Sequence, residues 1–241
     1  MTVAFVSYNG STGSDSNGGG GGTIVTGVTG DISGTTITLN ETKDFTGNAV
    51  GDVIWYGGNA GDRHLFTIAS FTGGISTCTA VVVDQTATGV RTTKAWGVGG
   101  ARLSIEDDTS NTDIDDQEDG WVYEFEESGA SGEYDLTATI NITEGAVADG
   151  HVQIRAASGA SPTLKWTGDF AAITVSGTGY LKIVGMAFSN TTSTSTSCRG
   201  VHVEQNGALW MGDCTGTTYD SFLYLVKARK SLVYGCDITT T

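Results

Sequence analysis

The chain has 241 residues, 36 glycines, a single proline and 12 basic against 27 acidic side chains, giving a formal charge of −15. That length can bury a core without disulfide or metal staples, and that charge repels a phosphate backbone, so nucleic acid is excluded as an expected partner. No run approaches the roughly 18 apolar residues of a membrane span, and no cationic segment leads into an apolar one after Met1, so neither a span nor a secretory signal is expected.

Residues 3–8 read as a strand, and the polar stretch 10–22 closes on five consecutive glycines. Such a stretch has almost no side chains to bury against its ordering cost, which predicts a flexible Gly/Ser-rich arm over residues 1–22. Residues 23–105 form a predicted β-rich N-terminal domain or cap, with short β-branched and aromatic runs at 35–39, 52–56, 65–71, 79–83 and 94–98. Glycine pairs punctuate these runs at Gly57-Gly58, Gly73-Gly74 and Gly99-Gly100.

Residues 106–133 read as an acidic connector and an aromatic strand. Eleven acids and no Lys or Arg fall between Glu106 and Glu127. Trp121, Tyr123 and Phe125 then alternate with Val122, Glu124 and Glu126, and period two places the rings on one face of a strand. The alternation returns at Leu136, Ala138, Ile140 and Ile142, and at Val152 and Ile154.

The last segment, 134–241, carries a repeat. Placing IVGMAF (183–188) over MGDCTG (211–216) and VYGCDI (233–238) aligns Ile183 with Met211 and Val233. It also aligns Met186 with Cys214 and Cys236, and Phe188 with Gly216 and Ile238. A second apolar pair lies ten positions before each first anchor: Ile173 and Val175, Val201 and Val203, Leu223 and Leu225. The anchors are 28 and then 22 residues apart, so length varies in loops while the inner spacing of ten is kept. Stacked rungs must hold their inward residues in register while their outer turns vary, and this pattern predicts a solenoid of parallel coils. Met186, Cys214 and Cys236 then form a core ladder, for which small, soft thiols are suited. The four cysteines lack CxxC spacing and neighbouring histidines, which argues against structural zinc.

The stretch HVQIRAASGASPTLKWTGDFAAITVSGTGYLKIVGMAFSNT (151–191) and the earlier WGVGGARLSI (96–105) resemble the pectin-lyase-like superfamily of right-handed parallel β-helices, particularly its phage tail-spike and virion members. The resemblance implies an all-β chain: a short right-handed parallel β-helix preceded by the small β-rich domain. It further implies a structural component of a bacteriophage-like particle, either capsid decoration or a tail-spike or fibre segment. The expected assembly is a homo-oligomer, with a trimer favoured, in contact with other virion proteins. The expected location is the virion, or the extracellular space after host lysis. Two other functions stay open: a polysaccharide lyase or glycoside hydrolase, and a noncatalytic adhesin that binds surface glycan. The sequence stops at Thr241, soon after Ile238 and without a polar capping segment, so further sequence or another subunit is expected to cover the last coil.

Candidate chemistry is sparse. Hard carboxylates suit calcium. Asp115, Asp119, Gly120 and Glu126 fall at positions one, five, six and twelve of an EF-hand loop, yet position three is Gln117 and 121–125 reads as strand. Asp115, Asp119 and Glu126 are therefore candidates for a looser Ca2+ site, beside the alternative of a solvated acidic loop, and no other cofactor is expected. Glycan hydrolysis needs two flanking carboxylates. Asp213 and Asp237, with Glu204, Asp220 and His202, are the acids and bases of the repeat, although Asp213 is more simply a turn residue. A lyase needs a base and a cation, and Lys227, Arg229 and Lys230 form the one tight basic cluster. No family pattern carries over onto these positions, so no catalytic residue is assigned. Trp210, outward beside inward Met211, is the carbohydrate-contact candidate.

Overall fold

The computed structural model describes residues 4–57, 63–87, 89–105, 114, 120–127, 132–144, 150–190, 197–218 and 221–240. After β1 (Phe5–Tyr8) come β2 (Val25–Gly27), β3 (Gly30–Ser33), β4 (Thr36–Lys43), β5 (Val53–Tyr56), β6 (Leu65–Thr72), β7 (Cys78–Val83) and β8 (Trp96–Val98). Strands β2 to β8 form one seven-stranded antiparallel sheet in the order β2-β8-β5-β6-β7-β4-β3.

The rest of the chain winds in coils. The first holds β9 (Val122–Phe125), β10 (Glu133–Leu136) and β11 (Ile140–Ile142), and the second β12 (Val152–Ala156), β13 (Thr163–Trp166) and β14 (Ala171–Val175). The third holds β15 (Tyr180–Val184), β16 (Ala187–Ser189) and β17 (Arg199–Glu204), and the fourth β18 (Ala208–Gly212), β19 (Thr215–Thr218) and β20 (Ser221–Val226). The last described coil contributes β21 (Lys230–Tyr234) and β22 (Asp237–Thr240). Equivalent strands stack in parallel as sheet I (β1-β9-β12-β15-β18-β21), sheet II (β10-β13-β16-β19-β22) and sheet III (β11-β14-β17-β20). The chain is thus an all-β protein, a short parallel β-helix with an N-terminal antiparallel domain, as the coil alignment predicts.

The predicted register holds residue by residue. Ile183 pairs with Met211 and Met211 with Val233. Phe188 pairs with Gly216 and Gly216 with Ile238. Ile173 pairs with Val201, and Val201 with Leu223. The difference between the 28- and 22-residue intervals falls between sheets II and III. Ser189 to Arg199 is ten positions, whereas Thr217 to Ser221 is four. Ile154, Ile183 and Met211 from sheet I, Leu164 and Phe188 from sheet II, and Ile173 and Val201 from sheet III are buried in the shared core. On β20, β21 and β22, the end of the described stack, the same rows reach the surface, and Leu225, Val233 and Ile238 are exposed.

Two corners of the coil repeat as well. Gly185, Asp213 and Gly235, each two residues past an aligned anchor, have φ of +70°, +53° and +60°. Gly177, Gln205 and Lys227 occupy the opposite corner at +62°, +49° and +54°. Only glycine adopts this left-handed backbone without cost, while Asp tolerates it by local hydrogen bonding. From β14 onward the left-handed corner between sheets III and I falls at the same place and the spacing is ten, whereas the equivalent passage from Ile140 to Ile154 is longer.

The N-terminus departs from the sequence reading. β1 pairs in parallel with β9, Phe5 beside Val122 and Tyr8 beside Phe125, so the antiparallel domain is inserted between the first rung of the helix and the second. The stretch read as a flexible arm packs between the two parts. Gly18 and Gly19 are buried. The Gly18 and Gly19 amides donate to the carbonyls of Gly99 (3.1 Å) and Gly100 (2.9 Å). A Cβ on Gly18 would lie 2.5 Å from the Val53 carbonyl oxygen, so the absence of side chains is what permits this approach. Arg102, 1% exposed, donates from Nη1 to the carbonyls of Asp15 (3.0 Å) and Asn17 (2.9 Å) and sits 5.3 Å from the Trp55 ring centre. Backbone hydrogen bonds and a buried arginine order a segment that has few side chains to bury.

Candidate functional site

On the outer face of sheet I, period two turns Tyr180, Lys182, Ala208, Trp210, Lys230, Leu232 and Tyr234 away from the core. Parallel pairing sets them in rows: Tyr180, Ala208 and Lys230 in one, Lys182, Trp210 and Leu232 in the next. Ala208 is the small member of its row, and between Tyr180 and Lys230 it leaves a hollow of about 450 Å3 that Trp210 and His151 also line. Tyr234 lies over Gly212, where a Cβ would come within 2.2 Å of the ring.

The walls of the hollow are aromatic and cationic. The Lys182 ammonium sits 4.5 Å from the Trp210 ring centre, and the Arg229 guanidinium, from the corner before β21, sits 4.6 Å from that of Tyr180. The His151 ring meets Tyr180 at 5.7 Å and Trp210 at 6.3 Å, both edge to face, and Tyr234 lies 6.4 Å from Trp210. Burial, with a smaller contribution from Lys182, holds the His151 imidazole below its ordinary pKa. At neutral pH it is an uncharged ring with one donor and one acceptor nitrogen.

The indole Nε1 of Trp210 is buried and has no hydrogen-bond partner among the described residues. A buried indole N–H ordinarily finds an acceptor. Trp166 and Trp96 illustrate the rule, donating to the carbonyls of Phe170 (3.1 Å) and Thr29 (3.2 Å). Trp210 alone of the three lies on the outer face with its donor free.

The other sequence candidates are dispersed. Cys214 stacks beside Met186 and Cys236 at the corner between sheets I and II; the first two are buried and Cys236 is half-buried. Burial pushes the Cys214 thiol up to about 12, and its Sγ approaches the Gly212 carbonyl at 3.2 Å. All four cysteines are free.

Glu126 accepts hydrogen bonds from the Ser7 hydroxyl and from Asn9 Nδ2 (3.3 Å), tying the end of β9 to the residues after β1. Asp115 and Asp119 lie outside the described residues, and among those described no three His, Cys, Asp or Glu side chains gather as a metal site. No helix is long and apolar enough to cross a membrane among the described residues.

Asp213 turns the corner between β18 and β19, whereas Asp237 stands at the start of β22 on sheet II. His202 and Glu204 belong to sheet III, 3.7 Å apart, beside Tyr224 and Arg199. Burial lowers the His202 pKa, with Arg199 acting the same way and Glu204 opposing it. Asp220 lies outside the described residues. The acids and bases of the repeat are thus spread over a corner and two sheets.

Sequence reading singled out Trp210 but not Tyr180, Lys182, Ala208 or His151. The signal was present: Tyr180, Ala208 and Lys230 each lie three positions before an aligned anchor, and Lys182, Trp210 and Leu232 one before. Reading the outward phase across all three coils assembles the face.

The chain matches no protein family, no curated protein and no solved structure. The parallel β-helix stands on its own strand pairing, and no relative ties it to tail-spike or virion proteins.

Proposed function

We propose that this protein is a noncatalytic carbohydrate-binding module in which the β-helix is a rigid scaffold and the outer face of sheet I is the glycan platform. The observation that carries this reading is the outward Trp210, which lines a hollow on sheet I together with Tyr180, His151 and Lys230. A sugar ring offers an apolar face to stack on an aromatic ring and hydroxyl oxygens to accept from Lys230. Tyr180 and Tyr234 widen the stacking surface, and neutral His151 adds a donor and an acceptor. β15 and β18, which carry Tyr180, Lys182 and Trp210, are paired on both sides, which keeps the ordering cost of binding low.

Trp210→Ala tests the reading by isothermal titration against a panel of oligosaccharides. A glycan bound by the unaltered protein loses at least about tenfold in affinity, about 1.4 kcal/mol, with the melting temperature preserved. A variant that binds as well as the parent, or a parent that binds nothing in the panel, contradicts it.

The particle setting is a second proposal. It draws on the phage-type resemblance of residues 96–105 and 151–191, the latter of which spans β12 to β16. A trimeric structural component would present the same platform in several copies. Cryo-electron microscopy of purified particles and the mass of the protein in solution test this; absence from particles together with a monomeric mass contradicts it.

A further inference from the structure

Charge around the hollow carries the glycan reading one step further. The protein is strongly acidic, and several of its cations have a carboxylate at hand. Lys43 pairs with Glu41 at 2.6 Å, Arg155 with Glu124 at 2.8 Å and Lys165 with Glu133 at 2.9 Å. Lys182, Arg229 and Lys230 differ: among the described residues none has a carboxylate within ion-pair distance, Lys230 lines the hollow, and Lys182 and Arg229 sit over Trp210 and Tyr180, two of its walls. Two are held over ring faces, which fixes the position of their charge without neutralising it. Among the described residues no carboxylate lines the hollow.

We infer that the glycan bound at sheet I is acidic, carrying a carboxylate or sulfate group that pairs with Lys182, Arg229 and Lys230 while a neighbouring ring stacks on Trp210. The inference rests on the carbohydrate-binding reading. The overall charge of −15 does not oppose it at physiological salt. Described carboxylates stand near the face, Glu144 beside Tyr180 through a backbone hydrogen bond and Asp213 at the corner after β18, but neither forms an ion pair with the three cations. A carboxylate or sulfate in direct contact with the three cations is screened far less.

The test is titration of the full chain with three hexasaccharides: hyaluronan, which carries only carboxylates; heparin, which carries carboxylates and sulfates; and chitohexaose, which is neutral. An acidic glycan is expected to bind at least tenfold more tightly than chitohexaose in 0.15 M NaCl and to lose affinity steadily as salt rises, a measurement that needs no variant. Lys182→Gln/Arg229→Gln/Lys230→Gln removes that preference, so that the variant binds acidic glycan no more tightly than it binds chitohexaose, and the salt dependence is lost with it. Binding of hyaluronan assigns the recognised group to a carboxylate; binding of heparin alone assigns it to a sulfate. Equal, salt-independent affinity for neutral and acidic sugars overturns the charge inference and leaves the platform standing. No binding of any sugar by the unaltered protein overturns both.

Discussion

The helix and the inserted antiparallel domain are both built from short strands around an apolar core, yet they hold themselves together differently. In the helix successive coils repeat the same inward rows, and from β14 onward the same two left-handed corners. Its stability is a sum over neighbouring coils, and a defect in one is felt mainly by the next. The domain has no such repeat: Phe45, Phe71 and Trp96 meet across its sheet, and Tyr56 reaches the carbonyls of Gly30 (2.8 Å) and Arg91 (3.2 Å). The proposed function follows this division. The platform needs an ordered row of outward side chains, and only the repeating part supplies one.

The largest expected effect comes at the seam. Arg102→Ala strips the donor from two carbonyls, empties the space beside Trp55 and frees the glycine segment, costing about 3 kcal/mol. Urea unfolding followed by the tryptophans should show the domain melting early while the coils keep their far-ultraviolet signal. A single unchanged transition would mean that the two parts are not joined through this arginine.

A smaller effect sharpens the corner argument. Lys227 occupies a left-handed position whose counterparts in the two preceding coils are Gln205 and, before it, Gly177. Lys227→Gly should relieve about 1 kcal/mol of backbone strain, partly offset by the added freedom of the unfolded chain, and raise the helix melting temperature slightly. A lowered melting temperature would count against the corner as a source of strain.

The smallest effect is pH dependence within the helix. Burial holds His151 and His202 below their ordinary pKa, so the folded state carries fewer protons than the unfolded one. Stability is therefore lost as pH falls from about 6.5 through the folded values, and these two groups contribute no slope well above that window. Replacing both with Asn should reduce the slope of melting temperature against pH between about 5 and 6.5. An unaltered slope would assign the dependence to other groups.

The same contrast explains what could be read in the sequence. Ile183, Met211 and Val233 announce themselves because a repeat compares the chain with itself, and one correct alignment fixes three sheets at once. β1 had no such witness, since its partner β9 lies beyond the whole inserted domain. The glycine segment misled for a physical reason: side-chain burial was weighed, whereas backbone hydrogen bonds and close approach hold it. The strands β5 to β8 were visible as β-branched and aromatic runs, but β2 and β3 are too short and polar to stand out. Trp210 was legible from its phase beside Met211. The hollow was not, because it depends on a small residue, Ala208, set between large ones from the coils before and after.

The most direct test of the account is hydrogen–deuterium exchange with and without a saturating bound oligosaccharide. Protection is predicted in the peptides covering 180–184, 208–212 and 230–234, with the inserted domain unchanged. Protection confined to residues 25–98, or none on sheet I, would contradict the claim that the repeating face is the binding platform.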